Sequence, residues 1–112
     1  MLSKKKKSQE KFIMREKLYG ANDYHPLPVV LEKGKGVFLW DINEKKYYDF
    51  LSSYSAVNQG HCHPRLVKVI HEQSSKLTLT SRAFHNNILG DYMEFANKLF
   101  GFEKLLPMNT GA

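Results

Sequence analysis

Cysteine is nearly missing from this sequence: Cys62 is the only one among 112 residues. One thiol cannot build an intrachain disulfide framework, and it suits a reducing compartment. Neither CxxC nor HxxxH spacing occurs, so the usual frameworks of a structural zinc site are missing. No apolar run approaches the ~20 residues that a membrane-spanning helix needs. No internal repeat is found. The opening MLSKKKKSQEKF lacks the apolar core of a secretory signal. Its scarcity of arginine (Arg15 is the first) and its early Glu10 also count against a mitochondrial presequence, so the expected compartment is the cytoplasm.

What is present fits one small folded domain. Hydrophobic residues make up 42%, an ordinary share. The net charge is +6, but residues 4–7 are all lysine and account for most of it. Such a run reads as a solvated tail. No basic stripe with interleaved aromatics follows, so neither nucleic acid nor a membrane is an expected partner.

Patterning divides the rest. Ser8 is placed to cap a helix from about Gln9, with Glu10 in its first turn, Phe12, Ile13 and Leu18 as an apolar face and Gly20 as its stop. So short a helix is marginal alone and must dock on something. Residues 21–28 read as a loop, with His25 and Leu27 kept extended by the prolines after them. Tyr24, taken alone, reads as a half-buried loop tyrosine. Residues 29–31, 37–40 and 47–51 read as strands, with turns at 34–36 and 41–46, forming a small antiparallel meander.

Pro64 opens a helix to about Lys76, with Leu66, Val69, Ile70 and Gln73 at helical spacing. Residues 77–81 read as extended. A second helix ends at Gly101, with Ile88, Leu89, Tyr92, Met93, Ala96 and Leu99 as its buried stripe. Residues 104–108 read as a strand, and Asn109, Thr110, Gly111 and Ala112 follow it into a helix start. Backbone N–H groups at such a turn are unpaired and favour an anion. Alone, a TGA is more often an ordinary turn.

The densest chemistry lies in residues 51–64, LSSYSAVNQGHCHP. Small residues surround Tyr54, and Gly60 permits a positive φ. Two readings of its histidines stand open. On a strand His61 and His63 share one face with Cys62 between them, which resembles part of a metal site. Otherwise they hydrogen-bond loop carbonyls and steady the turn.

This stretch resembles the corresponding segment of ornithine aminotransferases, pyridoxal-phosphate enzymes of the class III aminotransferase group. YGANDYHPLPVVLEKGKGVFLWD, KLTLTSRAFHNN and LLPMNTGA resemble it too, in the family's order and at its spacing, over residues 19–112. The resemblance implies an α/β fold, the fold-type I PLP-dependent transferase. Its N-terminal segment would be a helix, a small antiparallel β-meander, two helices and the first strand of the large domain. The divisions implied are a basic tail and docking helix over 1–18, a loop and meander over 19–62, and the start of a large cofactor domain over 63–112.

The reaction implied moves the δ-amino group of L-ornithine to 2-oxoglutarate, giving glutamate 5-semialdehyde and glutamate, with pyridoxal 5'-phosphate as cofactor. Thr110, Gly111 and Ala112 match the cradle of the cofactor phosphate. Tyr24, in NDYHPLP, matches the tyrosine at the α-amino end of ornithine. Tyr54, in SSYSAVN, matches the tyrosine that lines the pocket and favours ornithine. No metal is implied, and no catalytic residue: the Schiff-base lysine, the aspartate on the pyridine nitrogen and the carboxylate-binding arginine match nothing here. The chain is therefore expected to be a truncated, inactive part of a homodimeric parent. The alternatives are a class III enzyme acting on acetylornithine or 4-aminobutyrate, and a non-catalytic product that binds a full-length subunit. Mitochondrial relatives make the matrix the alternative compartment.

Overall fold

The computed structural model describes residues 8–21 and 23–109. It divides into two units, residues 1–71 and 72–112. The first unit holds helix α1 (Gln9–Tyr19), strands β1 (Leu31–Lys35), β2 (Phe38–Asp41) and β3 (Lys46–Tyr48), and most of helix α2 (Pro64–Ser74). The second holds the end of α2 and helix α3 (Leu89–Phe100). Helices and a small sheet together make this an α/β chain.

α1 begins after Ser8, but the serine side chain makes no capping bond. The helix is tied instead through Gln9, whose Oε1 accepts from the Val30 N–H at 2.7 Å and whose Nε2 donates to Asp41 at 3.4 Å. Gly20 ends it as expected, in an extended rather than a left-handed conformation. A β-carbon there would lie 2.8 Å from the Glu16 carbonyl oxygen, so only glycine fits. Phe12, Met14 and Leu18 remain exposed.

The sheet is an antiparallel meander in the order β1-β2-β3. Lys35 pairs with Phe38, so the connection is a two-residue turn at Gly36 and Val37, with Gly36 at φ 57°. The turn expected at 34–36 is therefore misplaced. Gly34 continues the ladder opposite Leu39, and its missing side chain makes room for His61: a β-carbon there would meet the ring at 2.7 Å. A glycine read as a turn signal is in fact a seat for a ring from another segment.

The β2–β3 turn is organised by Asp41, which is 3% exposed. Its Oδ1 accepts from the Asn43 and Lys45 N–H groups, and its Oδ2 from the Tyr47 hydroxyl at 3.0 Å. Burial alone would raise the Asp41 pKa, but these donors outweigh it and hold the carboxyl below the usual range. β3 is shorter than the expected 47–51, because the chain turns away after Tyr48 to follow Asp49.

Pro64 opens α2 as expected. In the second unit the Asn86 side chain accepts from the N–H groups of Ile88 and Leu89 at 3.0 and 2.9 Å and so starts α3. Gly101 ends α3 at φ 74°, donating its N–H to Asn97. The stripe expected to be buried on α3 is largely open: Ala96 is buried, while Ile88, Tyr92 and Leu99 are 44–61% exposed. Residues 104–108 form no strand. A strand needs partners for its backbone groups, and the described residues offer this segment none. Ile42 and Ala96 are the only buried apolar residues among those described.

Candidate functional site

The site is built on the stretch after β3. Asp49 still donates its N–H to the Val37 carbonyl, and its Oδ1 then accepts from the N–H groups of Leu51 and Ser52 at 3.1 and 2.9 Å. This side-chain turn redirects the backbone. Residues 52–55 follow in the left-handed region, at φ 47°, 47°, 56° and 72°. None is glycine, and each such residue costs about 1–2 kcal/mol. A run of this kind persists only where surrounding bonds hold it. Here Tyr54 donates its N–H to Leu51, Ala56 to Ser53, Val57 to Ser52 and Gly60 to Val57.

The turn presents Tyr54 to Tyr24. Their hydroxyl oxygens lie 2.8 Å apart although the residues are 30 positions apart in sequence. The Tyr24 hydrogen bond, with a smaller contribution from burial, raises the Tyr54 pKa above its ordinary value. Tyr54 therefore stays protonated at neutral pH. The side chains are 68% and 76% exposed, so both rings stand open to a ligand. A phenol pair can accept hydrogen bonds from an ammonium group while its rings wall a methylene chain.

His61 steadies the turn, but through a different partner from the one expected. Its Nε2 lies 2.6 Å from Asp49 Oδ2, so it bonds a carboxylate and not a loop carbonyl. The Ser52 N–H and the His61 ring hold the Asp49 carboxyl below its usual range, so the ionised oxygen accepts and Nε2 donates. The His61 backbone pairs with Gly36 in both directions, at 2.9 and 2.8 Å. Cys62 follows at φ 51°, so this is no strand, and the shared face supposed for His61 and His63 does not exist. His63 Nδ1 is buried without a hydrogen-bond partner. Among the described residues no group of three or more His, Cys, Asp or Glu is placed to hold a metal.

The structure thus brings Tyr24 and Tyr54 together. Thr110, Gly111 and Ala112 lie outside the described residues. All ten described lysines are exposed. Asp49 was missed from sequence. Its signal was an acidic residue two and three positions before Leu51 and Ser52, the spacing of a side-chain turn.

Comparison with known proteins gives the family. Residues 19–112 match the family described as Aminotransferase class-III. The mitochondrial ornithine aminotransferase of Drosophila ananassae is 64% identical over 102 residues, 91% of this chain and 24% of that protein. The acetylornithine aminotransferase of Elizabethkingia anophelis has a solved structure that superposes with a TM-score of 0.90 at 61% identity, over 94% of this chain and 27% of that one. The ornithine aminotransferase of Toxoplasma gondii, whose structure shows partial occupancy of PLP at its active site, gives a TM-score of 0.91 at 46% identity over 96% of this chain and 25% of that one. The chain spans about a quarter of the length of these relatives. On fold and sequence alike, it belongs to the class III, pyridoxal-phosphate-dependent aminotransferases.

Proposed function

We propose that these residues form the donor-binding edge of an ornithine aminotransferase, which moves the δ-amino group of L-ornithine to 2-oxoglutarate. The observation that carries this reading is the 2.8 Å meeting of Tyr24 and Tyr54. Tyr24 receives the α-amino end of the donor, and Tyr54 lines the methylene chain and sets the preference for ornithine. The naming of the Drosophila relative supports the same donor. Thr110, Gly111 and Ala112 would hold the phosphate of pyridoxal phosphate, through the backbone N–H groups of Gly111 and Ala112. When bound, that group supplies the electron sink. The active parent is a homodimer. The mitochondrial relative favours the matrix over the cytoplasm for it.

The second reading is an acetylornithine donor, favoured by the name of the Elizabethkingia structure. The two are separated by assaying the full-length enzyme that carries these residues with L-ornithine and N-acetylornithine, each with 2-oxoglutarate. Faster turnover of ornithine is expected. The reverse order replaces this reading with the second.

The 112-residue chain alone is proposed to be inactive, because its ten described lysines are all exposed and none matches the Schiff-base lysine of the family. Purified chain mixed with pyridoxal phosphate and borohydride should show no stoichiometric adduct at one lysine by mass spectrometry. Such an adduct would refute the proposal.

A further inference from the structure

The Asp49–His61 pair has no part in the chemistry above, yet it is the less exposed of the two side-chain hydrogen-bonded pairs at the site. The His61 and Asp49 side chains are 22% and 10% exposed, with Nε2 and Oδ2 2.6 Å apart. Asp49 stands just before the left-handed run that carries Tyr54, and its other oxygen already holds the Leu51 and Ser52 N–H groups at the entry. His61 stands six residues beyond the end of the run, where the turn meets the hairpin. Its backbone is paired on both sides with Gly36, and its ring fills the space beside Gly34. The pair therefore closes the turn at its two ends and fastens it to the β1–β2 hairpin. Without it, the stretch from Asp49 to His61, which holds four residues in an unfavourable conformation, would lose the side-chain tie between its ends.

We propose that Asp49 and His61 are positioning residues for Tyr54: their bond keeps the Tyr54 hydroxyl against Tyr24 and so sets the preference among amine donors. The claim about preference rests on Tyr54 being a donor contact, as proposed above. The claim about position does not.

The test uses the full-length holoenzyme with His61→Ala, His61→Gln, Tyr54→Phe and the double variant His61→Ala/Tyr54→Phe. The readout is the ratio of kcat/KM for L-ornithine over N-acetylornithine. His61→Ala should change this ratio by about tenfold, the worth of one well-placed hydrogen bond. The double variant should match Tyr54→Phe alone, because both changes act through one side chain. His61→Gln, which keeps an N–H donor for Asp49, should recover most of the loss. An unchanged ratio in His61→Ala, or losses that multiply in the double variant, would overturn the proposal. If Tyr54→Phe itself leaves the ratio unchanged, the donor reading fails. The positioning claim is then decided by the 13Cζ resonance of Tyr54 in 13C-tyrosine-labelled enzyme. A shift in His61→Ala that returns in His61→Gln supports it, and no shift overturns it. Should His61→Ala not fold, Asp49→Asn is read in the same two ways.

Discussion

The turn that carries Tyr54 and the helix α3 are of similar length but are held by different forces. In the turn, constraint comes from named hydrogen bonds: Asp49 to two backbone N–H groups and a histidine, and Gly36 to the His61 backbone on both sides. Its four left-handed residues would not stay there otherwise. In α3, local signals do the work. Asn86 starts the helix, Gly101 stops it, and its apolar stripe contributes one buried residue, Ala96. A turn made of polar geometry is complete once its own bonds are made. An amphipathic helix owes most of its stability to whatever covers its apolar face. Small changes should therefore damage the turn and be tolerated on the helices.

The largest effect is expected at Gly60. It sits at φ 84°, and a β-carbon would lie 3.0 Å from the Gly36 Cα and 3.1 Å from its carbonyl carbon. Both are backbone atoms of the hairpin and cannot swing aside. Gly60→Ala combines a left-handed non-glycine residue with a backbone clash, about 2–4 kcal/mol together. Trp40, the only tryptophan and a β2 residue, reports on the loss. Its denaturation midpoint in urea should fall well below that of the unmodified chain. An unchanged midpoint would mean that the turn is not fastened to the hairpin.

This contrast also sorts what the sequence made legible. Signals acting within a few residues were readable: Pro64 as the start of α2, Gly20 and Gly101 as stops, and the three-stranded meander. Signals whose partner is distant were misread. Gly34 looks like punctuation until His61 is laid against it. Nothing local says that His61 faces Asp49 or that residues 104–108 find no strand partner. The tyrosines were singled out by family resemblance, and only the three-dimensional turn explains how residues 30 apart come to share a hydrogen bond.

Acid should act on the hairpin and its turn and not on α3. Asp41 and Asp49 both have carboxyls held below the usual range, so they stabilise the folded hairpin at every pH above about 3.9, the unfolded-state value. That contribution is lost as pH falls through their lower folded-state values. The Trp40 emission should therefore stay native down to about pH 4 and change below it. Asp49→Asn should weaken this acid dependence, and Asp41→Asn should weaken it as well. In α3 the Glu94–Lys98 pair also lowers a carboxyl, but it is exposed at 65% and 74% on the two side chains and is screened by water. Glu94→Gln should leave the acid transition where it is.

The smallest effect is expected on the open faces of the helices. Ile70 in α2 is 65% exposed, so replacing it with glutamine removes little buried surface and keeps a good helix former. Ile70→Gln should change the stability of the chain by less than about 0.5 kcal/mol, read from the same urea midpoint. The same substitution in the full-length enzyme sharpens the comparison. If a larger body covers α2 there, Ile70→Gln becomes a polar group in a core and should cost about 2 kcal/mol or more in that protein. A cost in the enzyme but not in the chain would show that the helices, unlike the turn, take their stability from outside these residues. An equal and small cost in both would mean that this face of α2 stays in water throughout.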